Sequence, residues 1–501
     1  MLTRKDFLDA LVGGTAGLLS PQSSAAPAPT KLEGEAIRGA TEAVRNFILR
    51  TSFQSLPAAV VAQGKQCLVD GFGVILAGST VPGSAIIREY VKTAGNGSDA
   101  TVLGRQPFRA PSALAALANG ASGHAMDYDD TQLSTTPDRT FGLLTHPTVP
   151  ALSAALAIAE RIGASGEGFL EAFLVGFEVE CKIAEAIDPA HYRRGFHSTG
   201  TLGTFGAAAA AARLMKLTGP EIDHMLAITS SVASGIRVNF GSMTKPLHAA
   251  RAAENGIFAA ELASRGFTGG AAGLDGPWGF FQVLGGGADL GRLTPVLGSP
   301  FAIITPGVSF KPYPCGSLSH PSLDAMLKVV VEHNLTADNI KAVRLRAGNN
   351  ILEPLRYTLV KTELEAKFSI PFLLSAIVLR RRVGMREFTD DFVASAPVQQ
   401  MMRRVTGVFD PAIEARGYDK IRSIVEVDLV DGRTLVEPAD ERYRGGPDKP
   451  FTRDELHGKF RDCAELVMSA DQISRALAAI ESVETMADVR QLVRALAPAM
   501  A

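Results

Sequence analysis

Alanine-rich segments with helical spacing dominate the chain from about residue 34 to residue 290. The clearest are residues 113–118, 151–161, 205–214 and 249–264, and Gly and Pro residues separate them. Alanine has the highest helix propensity, and small side chains let neighbouring helices approach closely. The pattern therefore predicts a compact bundle whose helices are buried on several sides.

The pattern changes near residue 300, where Pro and Gly become frequent. Alternating apolar and polar residues then predict strands at Ile340–Ala347 and within residues 423–436. The second segment contains Asp431-Gly432 between two alternating runs, which is typical of a β-hairpin. Helical stretches are predicted between the strands, at residues 318–333 and 369–382. This part of the chain is expected to form a smaller α+β domain.

Helical periodicity returns after Gly445-Gly446-Pro447, in residues 452–469, 471–480 and 486–497. Such a segment is expected to pack back on the first bundle, so that the α+β domain is an insertion. The predicted fold is mainly α. Its parts are a signal-like or disordered segment at 1–30, a helical domain at 31–300, an α+β lid domain at 301–445 and a helical tail at 446–501.

Composition excludes several classes of function. Fifty basic and 52 acidic residues give a net charge of -2, so no global positive field attracts nucleic acid. The four cysteines are scattered without CxxC spacing, which argues against a disulfide scaffold, a zinc ribbon or an iron–sulfur cluster. No charge-free apolar stretch of about 18 residues follows the N-terminus, so no membrane span is predicted.

The first 30 residues are similar to an export signal. Residues 3–8 (TRKDFL) precede a short apolar run and then small residues, as in a twin-arginine signal with Lys in place of the second Arg. Asp9 within the apolar run, and a Pro after each candidate cleavage site, favour the alternative of an uncleaved N-terminal extension. Export to the periplasm is the first expectation, and a cytoplasmic location is the alternative.

Three carboxylates, Asp127, Asp129 and Asp130, lie within four residues, with Thr131 and His146 after them. Carboxylates this close repel one another unless they are solvated, hydrogen-bonded or paired with cations. A solvated acidic loop is one interpretation. A magnesium site on a helix is another, but no second Asp-rich helix stands out to complete it.

Histidine and basic residues cluster at two predicted helix starts. His197 precedes Ser-Thr-Gly and an Ala-rich helix, a pattern that suits either a bound carboxylate or phosphate or ordinary helix capping. Lys245 stands where a helix start does not favour a cation, so an anionic ligand explains it better than helix stability. His248 and Arg251 are spaced to share one face of that helix.

A further basic cluster, with Lys311 and His320, lies at the junction between the two domains. Ligand clefts are common at such junctions. Taken one at a time, none of these clusters identifies a function.

Together, six ordered motifs resemble those of the MmgE/PrpD family. They are GHAMDYDDT at 123–131, HPT at 146–148, FHSTGT at 196–201, MTKPLHAARAAENG at 243–256, FKPYPC at 310–315 and AKFSIPF at 366–372. The resemblance covers roughly residues 35–490. The family includes 2-methylcitrate dehydratase, cis-aconitate decarboxylase and iminodisuccinate epimerase.

The resemblance implies a helical domain with an inserted lid, no metal or organic cofactor, usually a homodimer, and a site between domain and lid. The implied catalytic positions are Asp127, Thr131, His146, His197 and Lys245. The candidate substrate-binding positions are Lys311, His248, Arg251 and His320. Histidine transfers protons near neutral pH and lysine stabilises carboxylates, while Asp127 is expected to orient a His or Lys and Thr131 to donate a hydrogen bond.

The implied function is that of a cofactor-free lyase that abstracts a proton beside a carboxylate of a small polycarboxylate. Dehydration of the 2-methylcitrate type is the first expectation, and decarboxylation or epimerisation of a related di- or tricarboxylate is the alternative. A non-catalytic, exported carboxylate-binding protein is a third. Two departures weaken the transfer of the dehydratase substrate: a longer stretch between Thr131 and His146, and Gly316-Ser317 where relatives often carry a polar pair.

Overall fold

The computed structural model describes residues 37–133 and 145–497. The export-like segment and most of the longer stretch between Thr131 and His146 lie outside the described residues. Cellular location therefore stays a prediction.

Long helices make up most of the chain before residue 300. They are α1 Ala40–Arg50, α2 Ala58–Gly78, α3 Pro82–Ala94, α4 Ser112–His124, α5 Thr148–Ile162, α6 Gly166–Ile187, α7 Ser198–Met215, α8 Gly219–Val232 and α9 Thr244–Ser264. Each of the four Ala-rich segments lies within one of these helices, so the prediction of a helical bundle is confirmed. A two-stranded antiparallel sheet between α3 and α4, with strands β1 Ala100–Val102 and β2 Phe108–Ala110, was not predicted.

Small residues let α9 pack tightly against α4 and α7. A Cβ added to Gly120 would lie 3.0 Å from the backbone of Ala250, and one added to Gly256 would lie 2.5 Å from the Ala207 side chain. The close approach that the Ala and Gly content predicts therefore occurs at the helix that carries Lys245.

A four-stranded sheet forms the centre of the α+β domain. Its strands are β3 Ile340–Ala347, β4 Val405–Phe409, β5 Ser423–Leu429 and β6 Thr434–Pro438, in the order β4-β3-β5-β6. β3 and β4 are parallel and the other pairs are antiparallel. Gly432 has a φ of 93° in the β5–β6 turn, as the Asp-Gly hairpin signal requires.

Two long helices, α10 His320–Glu332 and α11 Ile370–Arg380, pack together in the α+β domain. Two more, α12 Arg453–Ala464 and α13 Ala470–Glu481, follow the sheet. The shorter α-helices are Ala190–Arg193, Phe280–Val283, Asn349–Leu352, Glu363–Ala366, Asp390–Ala394, Ala396–Met402, Pro411–Glu414 and Arg490–Leu496. Helix α12 packs against α2, and the C-terminal helices share one apolar core with the N-terminal bundle. Residues 313–443 contribute almost all of a second core.

A buried ion pair joins these two parts of the helical body. Nζ of Lys459 on α12 lies 2.6 Å from Oδ1 of Asp70 on α2, and it donates a 2.7 Å hydrogen bond to the Tyr128 carbonyl. The C-terminal segment therefore contacts and stabilises the loop that follows α4. Within the described residues, α2 is also the one helix long and apolar enough to cross a membrane, and 67% of its most apolar window is buried in the protein.

We expect Lys459→Met to destabilise the protein by about 3–5 kcal/mol, because it leaves the Asp70 carboxylate buried without its cation. Urea unfolding measures the loss. The double variant Asp70→Leu/Lys459→Met should recover most of it, since two apolar residues leave no buried charge. Equal stability of the single variant and the wild type would contradict this role of the pair.

Candidate active site

A cavity of about 480 Å³, partly open to solvent, lies where the helical and α+β domains meet. Thr131 and Ser309 exchange two backbone hydrogen bonds across this junction, of 2.9 and 2.8 Å. The residues that line the cavity are Asp127, Thr131, His146, Tyr192, His197, Phe240, Lys245, Lys311, Gly316, Ser317, Leu318, Pro354, Leu355 and Phe368. Six of the nine sequence-predicted site residues are therefore brought together.

Asp127 is buried between two lysines. Its Oδ1 lies 2.6 Å from Nζ of Lys245, at the start of α9, and 3.0 Å from Nζ of Lys311. Lys311 also donates to the Asp127 carbonyl at 2.9 Å. Burial alone would raise the pKa of Asp127, but the two ammonium groups hold it well below its usual value. One carboxylate oxygen of Asp127 therefore pairs with both lysines.

The other two carboxylates of the cluster are also buried. Asp129 accepts hydrogen bonds from Nδ1 of His124, and Asp130 accepts one of 2.6 Å from the Thr148 hydroxyl. Burial, followed by the nearby Asp70, raises the pKa of Asp130 well above its usual value. The interpretation of the cluster as a solvated acidic loop is therefore wrong, because all three side chains lie in the interior.

His146 presents a bare ring nitrogen. Its Nδ1 donates a 2.7 Å hydrogen bond to the Asp130 carbonyl, which leaves Nε2 without a proton in the neutral ring. Asp129 lies 3.5 Å from the same Nδ1. Burial lowers the pKa of His146 well below its usual value, while Asp129 opposes that shift.

His197 pairs with a second imidazole. Its Nδ1 lies 3.0 Å from Nδ1 of His248, so one of the two nitrogens carries the shared hydrogen. Burial, and then the positive charge of Lys245, lowers the pKa of His197 well below its usual value, and burial lowers that of His248 to about 4. His248 thus lies behind the cavity and positions His197.

Besides His248, two more of the predicted substrate-binding residues do not line this cavity. Arg251 pairs with Glu254 on the exposed side of α9, 2.6 Å away. His320 is buried, and its ring nitrogens bond to the Tyr443 hydroxyl and the Cys315 carbonyl. The spacing of three residues predicted that Arg251 shares a helix face with His248. In the structure Arg251 is turned around the helix axis from His248, and its side chain points towards solvent.

Sequence reasoning missed His124, although it quoted this residue within the first motif. Nδ1 of His124 bonds to Asp129 at 2.8 Å, and its Nε2 lies 2.8 Å from Nζ of Lys245. Tyr192, on the cavity wall, was missed as well. The available signal for His124 was its place among small residues just before Asp127. Sequence spacing could not reveal its partner, Lys245, which lies 121 residues away.

Ligand atoms of two groups lie close enough together to hold a metal ion: His124, His146 and His197, and His124, Asp127 and Asp129. In both groups Nε2 of His124 already accepts a hydrogen bond from the Lys245 ammonium, which also pairs with Asp127. A metal ion that bound here would have to displace the Lys245 ammonium. The arrangement therefore suits the lysine side chain better than a metal ion.

Two family descriptions match the chain: the MmgE/PrpD N-terminal domain over residues 42–293 and the MmgE/PrpD C-terminal domain over residues 313–485. Together they cover most of its length. The chain belongs to the MmgE/PrpD family. The resemblance seen in the six motifs is confirmed, as are the mainly α fold and the expectation of an enzyme of this family.

Curated relatives of this MmgE/PrpD protein match it almost end to end. The cis-aconitate decarboxylase of Mus musculus is 28% identical over 475 residues, 92% of this chain and 94% of the relative. That of Homo sapiens is 28% identical over 463 residues, 90% and 93% respectively. That of Aspergillus terreus is 22% identical over 486 residues, 93% and 97%. The comparisons support a carboxylate lyase and leave its substrate open.

Proposed function

We propose that this MmgE/PrpD protein decarboxylates a small unsaturated tricarboxylate of the cis-aconitate type. The observation that carries the proposal is the charge balance of the cavity. The Asp127 carboxylate faces two ammonium groups, Lys245 and Lys311, so the charged side chains that line the cavity carry a net positive charge, and the neighbouring imidazoles are neutral. The names of the relatives favour decarboxylation over the dehydration that the sequence placed first.

The imidazoles that line the cavity are neutral in the free protein, and a polyanion that enters the cavity changes their surroundings. Negative charge near an imidazole raises its pKa, so bound carboxylates favour protonation of His146 at Nε2. Asp129, 3.5 Å from Nδ1, stabilises the imidazolium. The largest influences on His197 are burial and the nearby Lys245, His124, His248 and His146, and each of them lowers its pKa. We therefore assign His146 as the proton donor.

The α+β side of the cavity suits departure of a neutral product. Leu318, Pro354, Leu355 and Phe368 contribute apolar surface there. A carboxylate placed against such a wall loses its hydration, whereas CO2 needs none. The lysines hold the carboxylates that remain and stabilise charge that moves towards them.

The proposed step balances in atoms and charge. The C–C bond to the departing carboxylate breaks, and its electron pair shifts into the conjugated system. A carbon beside a retained carboxylate then takes the proton from His146, so that CO2 and a dicarboxylate leave and the imidazole is neutral again. Thr131 lines the cavity, and its hydroxyl donates a 3.2 Å hydrogen bond to the Thr145 carbonyl, so its oxygen is available as an acceptor.

NMR of the full chain with 13C-labelled polycarboxylates tests the proposal. We expect cis-aconitate in the presence of EDTA to give CO2 and a dicarboxylate. Dehydration of 2-methylcitrate or citrate, without CO2, would instead support the dehydratase, and a change of stereochemistry alone would support an epimerase. Tight binding without turnover of any acid would support the non-catalytic carboxylate-binding protein.

The pH dependence should reveal the role of His146 as an acid. Its pKa in the free protein lies well below the ordinary value of about 6.5 because of burial. We therefore expect kcat/KM to fall with rising pH between pH 6.5 and 8.5, approaching tenfold per pH unit. The basic limb of kcat should lie at higher pH, because bound substrate raises the same pKa. A kcat/KM that rises with pH would identify His146 as a base and contradict this assignment.

A further inference from the structure

We propose that Asp129 and His124 are positioning residues that fix the Lys245 ammonium in the cavity. The inference rests on the proposed function and extends it. Both side chains are buried, and neither lines the cavity. They contact side chains that do line the cavity, Lys245 and His146 among them.

Asp129 determines the tautomer of His124. Both carboxylate oxygens lie within hydrogen-bond distance of Nδ1, at 2.8 and 3.0 Å. A carboxylate can only accept, so Nδ1 carries the hydrogen and Nε2 keeps a lone pair. The neutral form is favoured because burial lowers the pKa of His124.

The lone pair on Nε2 of His124 accepts from Lys245 at 2.8 Å. A second N–H of the same ammonium goes to Oδ1 of Asp127 at 2.6 Å. An ammonium has three N–H groups, so one remains for the cavity that Lys245 lines. Two fixed acceptors thus aim the third donor, and an error of about 1 Å in such a donor can cost 10²-fold in rate.

The Asp129 carboxylate also contacts a second imidazole, since it lies 3.5 Å from Nδ1 of His146. One buried anion therefore contacts His146 directly and acts on Lys245 through His124. His124 and His146 also contact each other, with ring centroids 4.6 Å apart. Loss of the Asp129 charge should affect the lysine and the proton donor together.

Asp129→Asn tests the proposal. An Asn side chain can donate to Nδ1 of His124, which moves the hydrogen to Nε2, where it opposes Lys245. We expect kcat to fall about 10²-fold with KM changed less than threefold. The basic limb of kcat should move about one unit to lower pH, because a negative charge near His146 and Lys245 is lost. A purely structural role would not move that limb.

Two substitutions of His124 separate its contacts. His124→Gln keeps an acceptor near the position of Nε2, whereas His124→Asn keeps only a donor near that of Nδ1. We expect His124→Gln to retain at least tenfold more of the wild-type kcat than His124→Asn. Asp410→Asn is the matched control, since Asp410 is a buried carboxylate that caps a helix in the α+β domain.

Different results would contradict the positioning role and the proposed lyase function. Wild-type kcat and an unmoved pH limb in Asp129→Asn, or equal kcat in both His124 variants, would overturn the positioning role and leave the lyase intact. A wild type without turnover would contradict the lyase. The tautomer is then read by 15N NMR of labelled histidines: a proton on Nδ1 of His124 in the wild type, and its loss in Asp129→Asn, supports the proposal. An unchanged tautomer overturns it.

Discussion

His146→Asn should lower kcat for decarboxylation about 10³-fold, within the range of 10² to 10⁴ found for loss of a general acid. The Asn amide can still donate to the Asp130 carbonyl, which His146 reaches from Nδ1 at 2.7 Å. It has no group at the position of Nε2, so the local structure is kept and the proton donor is lost. Steady-state kinetics with a coupled CO2 assay measures the change.

The same variant should abolish proton uptake on binding. Calorimetry of a non-reactive tricarboxylate, in buffers of different ionisation enthalpy, counts protons taken up by the complex near pH 7.5. We expect uptake in the wild type and little in His146→Asn. His191→Asn is the matched control, because Nδ1 of His191 also donates to a backbone carbonyl, that of Leu284, at 2.8 Å. Turnover by His146→Asn within fivefold of the wild type would refute its role.

Lys245→Met should lower kcat/KM about 10³-fold. Methionine approximates the length of lysine, so packing against Phe240 and Phe368 is largely kept. The residues that line the cavity then lose their net positive charge, since Asp127 retains only Lys311 as its cation. An anionic substrate is attracted less strongly and one stabilising donor is lost, so KM should rise and kcat should fall.

Lys182→Met controls for the removal of a buried lysine. Lys182 lies in α6, 4.0 Å from Glu178 and 3.9 Å from Glu185, and it does not line the cavity. We expect this variant to lose stability and to keep wild-type kcat/KM. A Lys245→Met protein that is folded and as active as Lys182→Met would show that Lys245 does not stabilise the reacting anion.

The helical domain could be predicted from the sequence because small apolar residues at helical spacing are a local signal of buried helices. The sequence predicted β3 and the β5–β6 hairpin for the same reason, since alternation and an Asp-Gly turn are local signals. It did not predict β4, whose burial pattern shows one buried residue followed by four exposed ones. That strand exists because its residues pair with residues of β3 that lie 62 positions earlier, as Val405 does with Val343, and such pairing leaves no local pattern.

Six site residues were predicted because the motifs name them, but their roles depend on partners far away in sequence. Asp127 is paired with lysines 118 and 184 residues away. Spacing alone therefore allowed the acidic cluster to be a solvated loop or a magnesium site. His124 was missed and Arg251 was included for the same reason, because the direction of a side chain on a helix is settled by its neighbours. The homodimer and the export signal stay predictions.

The most direct measurement is turnover of cis-aconitate by the full chain in D2O, with CO2 and product followed together. Decarboxylation replaces a C–C bond by a C–H bond whose hydrogen comes from an exchangeable site on the protein. The account predicts one CO2 and one carbon-bound deuterium in each dicarboxylate product, at a rate that His146→Asn lowers about 10³-fold. Folded protein that consumes no tricarboxylate, or that forms product without CO2, would contradict it.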